Sequence, residues 1–129
     1  MNPRPTVFVV EDEEPVRSSL ARLLSAIGYP NRTFDSAEAF LESDAGDRDG
    51  CLLVDIRMPG MSGLDLLEEL ERRGISLPAI VMTGHIDERS LQRLGTLHTI
   101  GFLEKPFSVR ELKAVLERWR PLVDGPPPP

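Results

Sequence analysis

Five side chains spread along the sequence, Glu11, Asp12, Asp55, Thr83 and Lys105, form a set suited to one kind of chemistry. Brought together, the three carboxylates would repel one another and raise one or more of their pKa values. A hard divalent cation removes that difficulty. Magnesium takes oxygen ligands at ~2.1 Å in octahedral geometry and keeps several waters. The ammonium and the hydroxyl then suit a transferring phosphoryl group, whose oxygens need positive charge and hydrogen-bond donors.

Each of these residues closely follows a short apolar run: Val7-Phe8-Val9-Val10, Cys51-Leu52-Leu53-Val54, Ala79-Ile80-Val81-Met82, and 100–103 around Gly101. The runs lack polar–apolar alternation and so read as strands covered on both faces, as in a parallel sheet. A weaker run, 31–34, could supply an edge strand. Between them lie helical patterns. Val16, Leu20, Leu23, Leu24 and Ile27 form one apolar stripe, with Arg17, Ser18, Ser19 and Arg22 on the polar side and Gly28 placed to end the helix. Leu64, Leu67 and Leu70 form a second stripe; Val109, Leu112, Val115, Leu116 and Trp119 form the last. That last helix opens with Ser108-Val109-Arg110-Glu111, a capping box. Shorter helices are expected at 36–43 and 87–97. Strand and helix alternate five times, which argues for a doubly wound α/β fold with right-handed crossovers. In such a sheet ligands bind outside the carboxyl ends of the strands, and all five residues fall there.

Composition narrows the classes further. The 129 residues suffice for one domain, and burying roughly two-thirds of the unfolded surface gives it a core of its own. Fifteen basic residues against 21 acidic ones leave a formal charge of −6, which disfavours direct nucleic-acid binding by this segment. The single cysteine, Cys51, cannot form an internal disulfide, and no cysteine–histidine cluster suggests zinc. No apolar run approaches the ~20 residues of a membrane span, and residues 1–5 enter a strand-like run without a signal-peptide h-region or cleavage site, so no signal peptide is expected. A reducing, cytoplasmic compartment is expected. Residues 1–5 read as an extension, 6–120 as the domain, and 121–129, ending in four prolines, as a tail or the start of a linker.

In their order and positions these residues resemble the receiver domain of two-component response regulators, the CheY-like family, over about residues 5 to 120. Glu11-Asp12 matches the acidic pair, Asp55 the phosphoacceptor, Thr83 the hydroxyl position and Lys105-Pro106 the lysine–proline pair. The stretch Asp55-Ile56-Arg57-Met58-Pro59-Gly60-Met61-Ser62-Gly63-Leu64 and Glu104-Lys105-Pro106-Phe107 look like the FixJ-type branch. The resemblance implies a flavodoxin-like sheet of order 2-1-3-4-5 flanked by five helices. It implies that Asp12 and Asp55 bind magnesium through side chains, Glu11 directly or through water, and Arg57 through its carbonyl. It further implies that Asp55 takes a phosphoryl group from a phosphohistidine on a sensor histidine kinase, that Lys105 pairs with the phosphoryl oxygens, and that Thr83 bonds them. Phe102 takes the switch-aromatic position, and the Lys105–Pro106 peptide is expected to be cis. The output would be read by a domain or protein target, or by a homodimer, through the face built from the fourth helix, fifth strand and fifth helix. The expected role is a phosphorylation-controlled switch rather than a metabolic enzyme.

Plainer readings exist for each residue alone. Glu11 and Asp12 could cap the helix beginning near Glu14; Asp55 and Thr83-Gly84 could be ordinary strand exits; Lys105 could be merely solvated, and Phe102 core. Together these readings require five coincidences at strand ends. Met58 and Met61 read as loop packing, Cys51 as an inert buried thiol, and His98 and Trp119 as structural. The fourth helix departs from the family pattern, with Gly95 inside it costing ~1 kcal/mol relative to alanine and His98 where a helix-ending glycine is usual. Two other classes compete. A haloacid-dehalogenase-type hydrolase would also use an aspartate after a strand with magnesium, but places a second aspartate two residues on, where Arg57 stands. A nucleotide-binding domain would need a glycine-rich loop after the first strand, where the acid pair stands instead.

Overall fold

The computed structural model describes residues 5–45, 49–97 and 99–124. Residues 1–4, His98 and the terminal 125–129, on which parts of the expected extension, helix end and tail fall, lie outside the described residues. Strands β1 (Thr6–Val10), β2 (Asn31–Phe34), β3 (Gly50–Asp55), β4 (Ala79–Thr83) and β5 (Thr99–Glu104) alternate with helices α1 (Glu14–Ala26), α2 (Ala37–Glu42), α3 (Gly63–Arg72), α4 (Glu88–Leu94) and α5 (Val109–Asp124). All strand pairs are parallel, and the sheet order is β2-β1-β3-β4-β5, as the resemblance implied.

Successive strand residues point to opposite faces, and both faces are covered, which is why the runs are continuously apolar. Phe8, Val10, Leu52, Val54 and Val81 face α2 and α3, meeting Phe40, Leu64, Leu66 and Leu70. Val7, Val9, Leu53, Ile80 and Met82 face α1 and α5, meeting Leu20, Leu24, Leu112, Leu116 and Trp119. Trp119 is fully buried and stacks on Tyr29 with ring centroids 6.5 Å apart, in keeping with a structural role.

The helix ends follow local chemistry. Gly28 adopts φ +90° after α1, and the Gly28 and Tyr29 amides return to the Ser25 and Leu24 carbonyls, a glycine-terminated C-cap. Ser62 and Asp65 form a reciprocal capping box on α3, and Ser108 and Glu111 do so on α5. At the start of α1 the N-cap residue is Glu13, with no side-chain cap bond. Glu11 and Asp12 are therefore not spent on capping.

Three expectations need correcting. The run 100–103 lies at the sheet edge, as the implied strand order requires, but it is not covered on both faces: among its described residues only Leu103 is buried. α4 stops at Leu94, and Gly95 is its C-cap rather than an interior residue, so the expected interior penalty does not arise. α5 continues to Asp124, past the boundary expected at 120.

Candidate functional site: an acidic edge closed by one lysine

Register brings the site together. Val10 pairs with Val54, Asp55 with Met82, and Thr83 with Glu104, so the carboxyl ends of β1, β3, β4 and β5 lie side by side. The Lys105 amide donates to the Thr83 carbonyl at 2.7 Å, extending the last ladder by one residue. The Lys105–Pro106 peptide is cis, as expected. Gly63 permits the close approach of α3: a Cβ there would stand 2.2 Å from the Asp55 carbonyl oxygen, so only glycine fits beneath the strand end.

Glu11, Asp12 and Asp55 each offer a carboxylate oxygen within 4.8 Å of the others. Lys105 Nζ donates to Glu11 Oε2 at 2.9 Å and to Asp55 Oδ2 at 2.6 Å. The other Asp55 oxygen, Oδ1, accepts the Arg57 backbone N–H at 2.9 Å. Glu11 has no accessible surface, and among the described residues its Oε1 has no hydrogen-bond partner. Burial is the largest influence on it, and the nearby Asp55 adds to that; Lys105 opposes both, and the carboxyl is pushed up from 4.5 to about 7. For Lys105, burial alone would lower the pKa, but its bonds to Asp55 and Glu11 together outweigh burial and hold it above the ordinary lysine value. One ammonium thus answers two carboxylates, and a buried acceptor oxygen is left over. A hard cation bound among these oxygens would satisfy it.

The remaining expected residues are nearby but differently engaged. Thr83 is buried, and its hydroxyl is turned into its own loop: Oγ1 donates to the His85 carbonyl at 2.8 Å and accepts the His85 N–H at 3.2 Å. The Arg57 guanidinium reaches towards Asp87 Oδ2 at 3.9 Å. Phe102 stands outward on β5, 41% exposed. Met58 is buried and Met61 packs against the same core, as loop packing requires. Cys51 is buried, which pushes its thiol well up and keeps it protonated and inert.

The sequence matches the response regulator receiver domain family over residues 7–117. The chain belongs to that family. It is 42% identical to the transcriptional regulatory protein FixJ of Rhizobium meliloti (strain 1021) over 113 residues, 88% of this chain and 55% of the relative. It is 40% identical to the transcriptional regulatory protein TdiR of Thauera aromatica, over 83% of this chain and 47% of the relative. Among solved structures, FixJ-N superposes with a TM-score of 0.82 at 42% identity, covering 92% of this chain and 94% of that one. Full-length FixJ from B. japonicum gives 0.82 at 34% identity, covering 93% of this chain but 60% of the other. The chain spans about half the length of the curated relatives it matches. It is a receiver domain, a phosphorylation-controlled signalling switch, and nothing supports the hydrolase alternative. No helix among the described residues is long and apolar enough to cross a membrane.

Two site-related residues escaped the sequence reading. Arg17 was read only as part of the polar side of α1, yet its guanidinium donates to the Glu11 and Asp12 carbonyls at 2.9 and 3.3 Å. Arg93, which no motif singles out, clasps Asp65 and Glu68 on α3. Neither contact has a signal in sequence spacing, because each depends on how a helix docks.

Proposed function

We propose that Asp55 is the phosphoacceptor of this receiver and that Glu11, Asp12, Asp55 and the Arg57 carbonyl hold a magnesium ion during the transfer. The observation that carries this reading is the bridging of Glu11 and Asp55 by Lys105 beside a buried, unpartnered Glu11 oxygen. Bound magnesium would supply positive charge where phosphoryl negative charge develops. The Asp55 carboxylate attacks the phosphorus of a phosphohistidine on a sensor histidine kinase. A P–O bond forms as the P–N bond breaks, and the ring nitrogen takes the electron pair. Lys105, already within bonding distance of Asp55, follows the new phosphoryl oxygens. The receiver in this way promotes its own phosphorylation, and water later removes the group.

Phosphorylation adds roughly −1.5 to −2 charges. Thr83 can meet one of them only by giving up the His85 carbonyl, which loosens the loop into α4. Phe102, outward on β5, turns inward into the space so vacated. The surface of α4, β5 and α5, including Arg110 and Glu111, then presents a changed face to an output domain, a protein target or a second copy of the chain. The segment after Asp124 serves as the start of a linker, and the compartment is the cytoplasm, where such kinases present their phosphohistidine. The acidic balance supports leaving nucleic-acid contact to another part of the protein.

The test is direct. With acetyl phosphate and Mg2+ the protein gains one phosphoryl mass. Asp55→Asn gains none, and excess chelator abolishes the gain. Labelling that survives either change would overturn the assignment.

A further inference from the structure

The backbone that presents the acid pair is tied down from two sides. The Glu11 N–H donates to the Phe34 carbonyl at the end of β2, 3.1 Å away. From the opposite side Arg17 Nη1 donates to the carbonyls of Glu11 at 2.9 Å and of Asp12 at 3.3 Å. Arg17 is fixed in the first turn of α1, where its own amide bonds the Glu13 carbonyl at 2.9 Å. The N-cap of α1 makes no side-chain bond, and the Arg17 guanidinium ties the helix start to the acidic loop. None of the ion pairs among the described residues engages Arg17, and the bonds its side chain makes, both from Nη1, go to backbone carbonyls.

We propose that Arg17 is a positioning residue for the cation site: by holding two consecutive carbonyls it fixes the peptide from which Glu11 points inward and Asp12 faces Asp55. The inference rests on the magnesium reading above. Both bonds leave one nitrogen, Nη1, which the rigid guanidinium plane holds between the two carbonyls; an ammonium on a flexible lysine stem is less well ordered for the task. Groups that orient metal ligands without touching the metal typically account for 10–100-fold in affinity.

The sign of the effect separates positioning from simple charge. Arg17 is a cation near a cation site, so as a bare charge its removal would tighten Mg2+ binding. As a positioning residue its removal loosens binding. The experiment is an NMR titration of the full chain with MgCl2 at fixed pH and ionic strength, following the amides of Glu11, Asp12, Asp55 and Arg57. Wild type, Arg17→Met and Arg17→Lys are compared, with urea unfolding in chelator as the control for fold. We expect the Mg2+ dissociation constant to rise about tenfold in Arg17→Met. Arg17→Lys keeps the charge and falls between the two. At saturating Mg2+, phosphorylation of Arg17→Met by phosphoramidate should recover to near the wild-type rate, as a loss confined to cation binding requires. Equal or tighter Mg2+ binding by Arg17→Met overturns the proposal. If Arg17→Met is unfolded in chelator, Arg17→Lys decides alone: wild-type affinity there overturns the proposal, and weakened affinity supports it. If wild type shows no Mg2+-dependent shifts at all, the magnesium reading fails, and the positioning role fails with it.

Discussion

The helices α3 and α4 lie on the same side of the sheet, one after the strand that ends in Asp55 and the other after the strand that ends in Thr83. They are held there by different forces. α3 buries Gly63, Leu64, Leu66, Leu67 and Leu70 and is closed by a reciprocal capping box. α4 buries none of its residues; Leu94 only partly reaches the core, and Leu91 is 55% exposed. Its attachments are polar: the Asp87 cap on Ser90, the Arg57–Asp87 approach, and Arg93 on Asp65 and Glu68. Apolar burial is worth about 1.5–3 kcal/mol per leucine and is insensitive to charge at a neighbouring site. Polar ties are individually weak and respond to charge. A switch therefore needs its acceptor on the first kind of unit and its moving surface on the second.

The largest effect should come from truncating the apolar anchor. Leu66→Ala, at a fully buried position, should cost about 2–5 kcal/mol of unfolding free energy. Leu91→Ala on α4 should change it by less than about 0.5 kcal/mol. Urea titrations at constant pH read both values. Comparable losses would mean that α4 is core-anchored after all and would end the contrast.

The same contrast explains what could be read from the residues alone. β1, β3 and β4 were legible because burial on both faces writes continuous apolar runs, and α3 because its leucines repeat at helical spacing. The site was legible because parallel strands deliver their terminal residues to one edge. β5 was expected to be covered on both faces because its apolar run, like theirs, does not say that Phe102 is left exposed. α4 was misread because capping and ion pairing, rather than an apolar stripe, set its limits; Gly95 terminates it with ordinary helical φ and ψ, leaving no mark of its role. Arg17 and Arg93 act through contacts that only docking creates.

The second effect concerns the rigid side. Glu11 has a folded-state pKa of about 7 against an ordinary 4.5, so folding favours its protonated form. Its contribution to stability is complete below about 4.5 and is lost as pH rises through about 7. In chelator the wild type should thus lose up to about 3 kcal/mol from this group between pH 4.5 and 8. Glu11→Gln should flatten that slope, and Mg2+ should offset it in the wild type only. Parallel pH profiles for the two proteins would show that the Glu11 carboxyl ionises without penalty, and the site would lose its electrostatic reason for a cation.

A smaller effect is expected where the two units meet. Thr83→Ala deletes both bonds between its hydroxyl and the His85 backbone, a loss of about 1 kcal/mol. The variant should still accept phosphate at Asp55. Its Phe102 ring and α4 amides, however, should move much less on phosphorylation than those of wild type. Identical NMR shifts in the two phosphorylated proteins would remove Thr83 as the coupling element.

The smallest effect tests the polar clasp itself. Asp65 serves two helices at once: Oδ2 accepts the Ser62 N–H in the α3 cap at 3.0 Å, while Oδ1 accepts Arg93 Nη2 from α4 at 2.8 Å. The Arg93 bond is the largest of the influences that hold the Asp65 carboxyl below its ordinary range. All three partners are part-exposed, so water and salt screen the clasp, and pairs of this kind measure about 0.2–1 kcal/mol. Arg93→Ala should therefore scarcely shift global unfolding, yet it should speed hydrogen exchange at Leu91 and Leu94 relative to Leu20 and Leu24. The difference should shrink between low and ~1 M salt, where the screening length falls to about 3 Å. Asp65→Asn should disturb both helices, because it weakens the cap as well as the clasp, whereas Glu68→Gln should affect α4 alone. If exchange in α4 responds to neither Arg93→Ala nor salt, then Leu94 and its apolar neighbours hold the helix, and α3 and α4 differ in degree rather than in kind.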